Sequence, residues 1–437
     1  MSITSGAWPP QKPASPPVRP PDTHALGERA VPTSEAALEQ HFASFRADGS
    51  AGLALNVHLP FCPSRCLSCD RIAVVEHQPS ELEHYVKNLE RELSRAAALL
   101  GERSLSQVHF GGGSPNHLSE LALATIFSHI SRHFTVSDAT QFSMELNPRR
   151  TSRAQLNFLK GLGIEHIKLE VRDVDATVQR EIGRIHSQEL LEDVISIAHA
   201  VNFESISMDY LIGLPGQTSK SCQQGIDAIV SLGPDWLVCQ PFYRREGVFP
   251  HQIAVDAQQL PSLADRLVIF NHVERQMTES GYEWVGLNVF AMPDHELAVA
   301  QREGNVALNV LGYGTDPNLS VMGIGLGALS ELSGQVLQNH TDLATWHRLV
   351  EAGSLSVASA VLADDSEVLQ RKVMRQLMCR QSISVSELTP TQQEAWMSPL
   401  VEQGYLESTA EQFRLTEVGL SLLPHTWTDS SPAFRAF

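Results

Sequence analysis

Strand-like runs alternate with helical stretches six times in succession, and this rhythm constrains the fold more than any other feature of the chain. The runs are Leu53 to Leu59, Gln107 to Gly112, Gln141 to Asn147, His166 to Val171, Ser205 to Leu211 and Trp236 to Phe242. Each is short and either apolar throughout or apolar at alternate residues, the pattern of a buried or half-buried strand. Between them apolar residues recur three and four apart, as in Leu82, Tyr85, Val86, Leu89, Leu93 and Leu100, or Leu191, Val194, Ile195, Ala198 and Val201. Each such stretch presents one apolar helix face, and Ser80 and Glu83 stand in capping-box spacing at the head of the first. A parallel neighbour is reached only through a long crossover, usually a helix. The chain is therefore expected to be an α/β protein built on a partial (β/α)6 barrel, with its ligand sites at the C-terminal ends of the strands.

The 437 residues, 42% of them apolar, suffice for one large domain and a smaller one. Three divisions are expected: a Pro-rich leader and N-terminal segment over 1–50, the barrel with its extension over 51–335, and a C-terminal domain over 336–437. Seven prolines between Pro9 and Pro21 deprive the leader of backbone donors, which predicts a flexible or polyproline-like tail. After about residue 335 the strand rhythm is expected to stop. Glu367 to Met378 then reads as a helix with Val368, Leu369, Val373 and Leu377 inward. The segments Ile383 to Leu388, Gln392 to Gln403, Gly404 to Ser408 and Phe413 to Thr416 follow in a mainly helical, winged-helix-like order.

A formal net charge of −18 disfavours nonspecific attraction to nucleic acid or anionic lipid, and points the winged-helix-like unit to packing or a lid function rather than DNA binding. No run of about 18 apolar residues is present, and the N-terminus lacks the charged-then-apolar order of a secretory signal, so a cytoplasmic protein is expected. Three of the six cysteines fall within eight residues, while Cys222, Cys239 and Cys379 are scattered. That distribution suits metal ligation better than a disulfide framework, and the scattered three read as buried small apolar side chains.

The segment His58-Leu-Pro-Phe-Cys62-Pro-Ser-Arg-Cys66-Leu-Ser-Cys69 directly follows the first strand. Three thiolates from one loop leave one iron of a 4Fe-4S cluster without a protein ligand, free to take an external amino and carboxylate group. The alternative is structural zinc, but a closed zinc site needs four protein ligands and usually pairs two short knuckles; no second knuckle is evident. His58 lies on the strand and is expected to hydrogen-bond near the site rather than to ligate.

Gly111-Gly112-Gly113 ends the second run, where glycine lets backbone approach a ligand or form a tight turn. Glu145 and Asp209 are carboxylates at otherwise apolar strand ends, and burial without partners would cost several kcal/mol. Gly213-Leu-Pro-Gly216 closes the fifth run as a strand-to-helix turn or an adenine-bracketing segment.

The cysteine spacing resembles that of radical S-adenosylmethionine enzymes. The surrounding sequence looks like oxygen-independent coproporphyrinogen III oxidase from about residue 50 onward. The stretches that carry the likeness are Val57-His-Leu-Pro-Phe-Cys62, His109-Phe-Gly-Gly-Gly-Ser-Pro115, Ser143-Met-Glu-Leu-Asn-Pro148, Asp209-Tyr-Leu-Ile-Gly-Leu-Pro215, Glu296-Leu-Ala-Val-Ala-Gln-Arg-Glu-Gly304 and Gly312-Tyr313. The resemblance implies a 4Fe-4S cluster on Cys62, Cys66 and Cys69 and one or two molecules of S-adenosylmethionine. It places Gly112, Gly113, Ser114, Glu145, Arg184, Asp209 and Leu329 among the residues that bind the latter. It further implies a radical oxidoreductase of porphyrin and haem biosynthesis, in which propionate side chains of coproporphyrinogen III are oxidatively decarboxylated to vinyls.

The implied partners are a tetrapyrrole-like small molecule and an electron-donor protein, with no nucleic acid or membrane, and the chain is expected to act as a monomer. Arg149, Arg150, Arg172, Arg244 and Arg245 are then reasonable contacts for a tetracarboxylate. The sequence departs from the family where Arg71 replaces a fourth cysteine, Asn56 a tyrosine, Ser68 an aromatic residue, Arg172 a glutamine, Asn288-Val289 an Asp-His pair and Leu311 a glutamine. A paralogue with other radical chemistry, such as tetrapyrrole modification, methylation or cyclopropanation, is therefore a second reading. A haem-binding chaperone without turnover is a third.

Overall fold

A computed structural model describes residues 31–420 apart from 33, 49–51, 76 and 362–364; the Pro-rich stretch therefore lies outside the described residues. The six expected strands form as β1 (Leu53–Leu59), β2 (Leu105–Gly112), β3 (Gln141–Leu146), β4 (His166–Arg172), β5 (Ser205–Ile212) and β6 (Trp236–Pro241). They pair in that order, all parallel. The alternation sets which face each side chain takes. Leu53, Leu55, Val57 and Leu59 of β1, Met144 and Leu146 of β3, and Ile167, Leu169 and Val171 of β4 are buried in the main core. Helix α1 (Pro79–Leu100) joins that core through Tyr85, Leu89 and Leu93. The intervening residues His58, His109, Glu145, Lys168, Glu170, Arg172 and Asp209 take the opposite face, the interior of the half-barrel. The cap of α1 lies two residues earlier than its spacing suggests: Pro79 occupies the first turn, and the Gln78 amide donates to Glu81 Oε2 at 2.6 Å.

The strand rhythm does not stop near residue 335. β7 (Ser320–Ile324) adds to β1 in parallel, then β8 (Leu329–Leu332), β9 (Gln335–Asn339) and β10 (Val357–Val361) extend the sheet antiparallel. The boundary expected at 335/336 thus falls inside β9, in a hairpin of the main sheet. The strand Val31–Pro32 covers that edge, and Val289–Ala291 and Glu283–Val285 extend the other beyond β6.

A buried carboxylate fastens this extension to α1. Glu92 is 1% exposed and accepts from the Gly325 amide (2.7 Å), Asn339 Nδ2 (3.0 Å), Trp346 Nε1 (3.2 Å) and Ser356 Oγ (2.8 Å). Burial pushes its carboxyl up to about 7, against the pull of these donors. Two turns earlier on the same helix, the Tyr85 hydroxyl donates to the His58 carbonyl at 2.7 Å and accepts from the Leu326 amide at 2.9 Å. Together they hold the turn after β7 against the end of β1, where the cysteine loop begins.

A second, small core begins with α2 (Asp365–Arg380). It gathers Val373, Leu377, Ile383, Leu388, Met397, Leu406, Phe413 and Leu415. The strands Ser382–Ser384, Leu406–Ser408 and Gln412–Leu415 form an antiparallel sheet with the last in the middle, as a winged-helix-like unit requires. Val373 and Leu377 point inward as expected, but Leu369 is 42% exposed because its face of the helix meets solvent. The unit is tied to the barrel extension by an Arg375–Glu331 ion pair and by Gln381 Nε2 donating to the Gly286 carbonyl at 2.9 Å. Among the described residues no helix is long and apolar enough to cross a membrane.

Replacing Glu92 by leucine strands four buried donors. We expect a loss of at least about 3 kcal/mol of unfolding free energy, read from the urea midpoint; an unchanged midpoint would show that Glu92 does not fasten the extension.

Candidate active site

The cysteine loop leaves β1 at Pro60 and is pinned at its base, where the Cys62 amide donates to Val74 O at 3.0 Å and the Val74 amide to Pro60 O at 2.8 Å. The exit of β2 is packed directly against it. The Gly113 amide donates to Leu59 O at 2.8 Å and the Ser114 amide to Phe61 O at 2.9 Å. A Cβ on Gly113 would lie 2.6 Å from the Pro60 carbonyl, and one on Gly112, whose φ is +108°, would lie 2.5 Å from the His58 ring. Glycine is thus required here by the close approach of the loop itself.

All six cysteines are free thiols, and Cys222, Cys239 and Cys379 are buried as expected. Cys62 Sγ stands 3.8 Å from Ser114 Oγ, and Cys69 Sγ 3.7 Å from Arg71 O. Cys66 Sγ has Arg184 Nη1 at 3.5 Å and Arg149 Nη2 at 3.9 Å. Burial raises the Cys62 thiol and pushes Cys69 up to about 12, so metal binding at these sulfurs releases protons. His58 makes a hydrogen bond from Nε2 to Ile72 O at 3.1 Å, and burial lowers its pKa to about 4. It is a neutral donor at the base of the loop, as its place on the strand suggests. Among the described residues no three His, Cys, Asp or Glu side chains are gathered to hold a single metal ion.

Both isolated carboxylates have found partners. Glu145, 2% exposed, pairs with Arg71 through two nitrogens, with Lys168 Nζ at 2.6 Å and with the Gly112 amide at 3.3 Å; His109 Nε2 lies 4.0 Å away. Burial alone would raise the Glu145 carboxyl, but Arg71 and Lys168 hold it well below the usual carboxylate range. Asp209 accepts Arg172 Nη1 at 2.9 Å and the Arg172 amide at 3.3 Å. Arg172 also reaches Glu170 at 2.9 Å; burial would lower its pKa, yet Asp209 and Glu170 raise it well above the ordinary value. Glu170 in turn receives Arg184, whose Nη2 lies 2.6 Å from the Glu170 carbonyl and 3.4 Å from its carboxylate. A continuous chain thus runs Cys66–Arg184–Glu170–Arg172–Asp209. Arg172 holds its place with φ at +74°, an uncommon backbone for a side chain of its size that these contacts over-determine.

Of the residues implied by resemblance, the three cysteines, Gly112, Gly113, Ser114, Glu145, Arg184 and Asp209 lie in or beside this network. Leu329 stands apart on β8, with β7 between it and β1, and its carbonyl receives Asn56 Nδ2 at 3.4 Å. Arg184 is buried, at 5% exposure. Arg71, Lys168, Glu170 and His109 join the site beyond the residues that the sequence singles out. The alternation Lys168, Glu170, Arg172 on one face of β4 was the signal for two of them. Among the arginines expected as substrate contacts, Arg149 and Arg172 belong to the network, while Arg244 pairs with Glu246 at 2.5 Å and Arg245 faces Asp70 at 3.8 Å. Gly213 closes β5 with its amide on Gln217 Oε1 at 2.7 Å, and a Cβ there would meet the Arg266 guanidinium at 2.8 Å, so a turn packed on its own chain occupies that place.

Residues 56–228 match the model of the Radical SAM superfamily, and the chain carries a radical SAM domain. Over most of its length it is similar to oxygen-independent coproporphyrinogen III oxidases. It is 29% identical to that of Pseudomonas aeruginosa over 77% of this chain and 74% of the relative. It is 27% identical to that of Salmonella typhimurium over 85% of this chain and 83% of the relative. The structure of coproporphyrinogen III oxidase from Escherichia coli, described as a radical SAM enzyme, superposes with a TM-score of 0.81 at 27% identity, covering 90% of this chain and 94% of that one. Radical SAM proteins use a 4Fe-4S cluster and S-adenosylmethionine. The residues here fit a cluster: three soft sulfur donors on one loop, guanidinium donors aimed at Cys66 Sγ, and a glycine-lined wall beside Cys62.

Exchanging Arg172 for methionine leaves Asp209 without its cationic partner and Glu170 with Arg184 as its remaining one. The expected cost is about 3–5 kcal/mol in chemical denaturation; a loss under about 1 kcal/mol would show that water or another cation satisfies these carboxylates.

Proposed function

We propose that this protein is a radical oxidoreductase that decarboxylates propionate side chains of coproporphyrinogen III. Cys62, Cys66 and Cys69 hold the 4Fe-4S cluster, and Gly112, Gly113, Ser114, Glu145, Arg184 and Asp209 line the place for S-adenosylmethionine, with Leu329 outside that ring. When bound and reduced, the cluster supplies the electron that cleaves the carbon–sulfur bond of S-adenosylmethionine and so furnishes a hydrogen-abstracting radical. This chain's own residues orient and exclude water.

The observation that carries the reading is the charge of the half-barrel interior. Arg71, Arg149, Lys168, Arg172 and Arg184 are joined by contacts to one another's carboxylate partners or to Cys66; among the described residues they pair with Glu145, Glu170 and Asp209, and Asp70 acts on Arg71 and Arg172 from farther away. A cationic surplus beside the cluster loop, in a chain whose net charge is −18, suits a substrate with several carboxylates. An electron-donor protein reduces the cluster, and the chain works as a monomer in the cytoplasm.

A paralogue acting on another carboxylated tetrapyrrole is favoured by one observation. Arg71 and Arg172, the two residues that depart from the family here, already engage Glu145 and Asp209.

The test is anaerobic turnover of cluster-reconstituted protein with coproporphyrinogen III, S-adenosylmethionine and dithionite, quantifying 5′-deoxyadenosine and vinyl product together. Both are expected, and both are expected to vanish in the Cys66→Ala variant. Deoxyadenosine without vinyl product would move the assignment to the paralogue, and neither product from iron-loaded protein would overturn it.

A further inference from the structure

The half-barrel has an open side, because β1 and β6 stand at opposite ends of the six-strand run. The segment that leaves β6 crosses toward the cysteine loop. Three consecutive residues of that loop are tethered across the mouth. Arg71 is held by Glu145 of β3, and Asp70 faces Arg245 at 3.8 Å. The Cys69 carbonyl receives His251 Nε2 at 2.8 Å and Gln252 Nε2 at 2.9 Å.

The geometry at Cys69 is specific. A carbonyl oxygen has two lone pairs, and here two side-chain donors from adjacent residues occupy both. Since the carbonyl only accepts, His251 must carry its proton on Nε2. Gln252 is fully buried, at 0% exposure. Its amide is oriented unambiguously, because Oε1 accepts the Arg245 amide at 2.5 Å while Nε2 faces Cys69. Its backbone carbonyl accepts Arg244 Nε at 3.1 Å, so both ends of the short segment fold back on it. An apolar contact runs in parallel: Leu67 of the cysteine loop packs in one cluster with Phe242, Val255, Val178 and Ile182. Polar and apolar contacts therefore join the two sides of the gap at two separate points.

We infer that Gln252, with His251, is a positioning residue that clasps the backbone of Cys69 and closes the open side of the half-barrel over the cysteine loop. Its importance for a cluster rests on the reading of Cys69 as a ligand given above. The clasp fixes the third sulfur by fixing the peptide that carries it, and it links the exit of β6 to the loop at the exit of β1. A substrate entering the mouth meets a segment already fastened to the cluster loop, so movement of one is transmitted to the other.

The test compares the full chain with Gln252→Met, which keeps length and removes both polar ends, and with His251→Phe. Amide hydrogen exchange is followed by mass spectrometry on metal-free and on anaerobically reconstituted protein, with the electron paramagnetic resonance spectrum of the reduced cluster recorded on the latter. Exchange over residues 62–74 should accelerate at least tenfold in Gln252→Met, and by a smaller factor in His251→Phe, with strands 105–112 and 205–212 unchanged. The cluster spectrum should change in shape and iron should be lost to a chelator several-fold faster. Unchanged exchange over 62–74 in both variants overturns the inference, as does acceleration spread equally over the barrel strands. If the unaltered protein takes up no iron, the cluster reading fails, and the metal-free exchange comparison still decides the clasp.

Discussion

Buried charge that must be paired organises the interior of this half-barrel. A carboxylate at the end of a parallel strand cannot stay ionised in an apolar surrounding unless a cation reaches it, and removing one partner of such a pair costs more than the pair contributes. Glu145 and Asp209 meet that condition through Arg71 and Arg172, which come from the cysteine loop and from the exit of the neighbouring strand. The loop that carries the three thiols is consequently part of the charge network rather than an appendage to it. Arg184 closes the circuit by touching Cys66 and Glu170 together.

The strands allow this because their alternation separates two jobs. Residues such as Leu55, Val57, Met144 and Leu169 bury against the crossover helices, leaving the other face for polar groups. Polar groups sharing that face then solvate one another in place of water. Loop approach, glycine packing and ion pairing all converge at the strand exits, where a cofactor and a substrate would have to meet. Glu92 and Tyr85 act at one remove, setting the turn after β7 against the end of β1 and so supporting the base of the cysteine loop.

Much of this was legible in the sequence, for physical reasons that differ by element. The six parallel strands were found nearly to the residue because each combines strong apolar content with a Gly, Pro or polar exit, and because amphipathic helices separate them. The need of Glu145 and Asp209 for partners followed from burial cost alone; the identity of those partners did not, since Arg71 lies 74 residues from Glu145 and no local pattern links them. The sheet extension past residue 335 was missed because Val357–Val361 reads Val-Ala-Ser-Ala-Val, weakly apolar, and its pairing with Gln335–Asn339 is a contact between segments separated by a helix. The capping of α1 was misplaced by two residues because Ser80 and Glu83 offered the same spacing as Gln78 and Glu81. Periodicity places Leu369 inward, but the helix supplies the small C-terminal core with Val373 and Leu377 and, at its margin, Met374 and Met378.

Three thiols from one loop are proposed to hold a cluster with a single iron left open beside the guanidinium network. Mössbauer spectroscopy of protein reconstituted with iron-57, before and after addition of S-adenosylmethionine, addresses this directly. A diamagnetic 4Fe-4S spectrum is expected, in which one iron in four changes its isomer shift when S-adenosylmethionine is added. Protein that holds no iron, or a cluster whose four irons are all indifferent to S-adenosylmethionine, would contradict it.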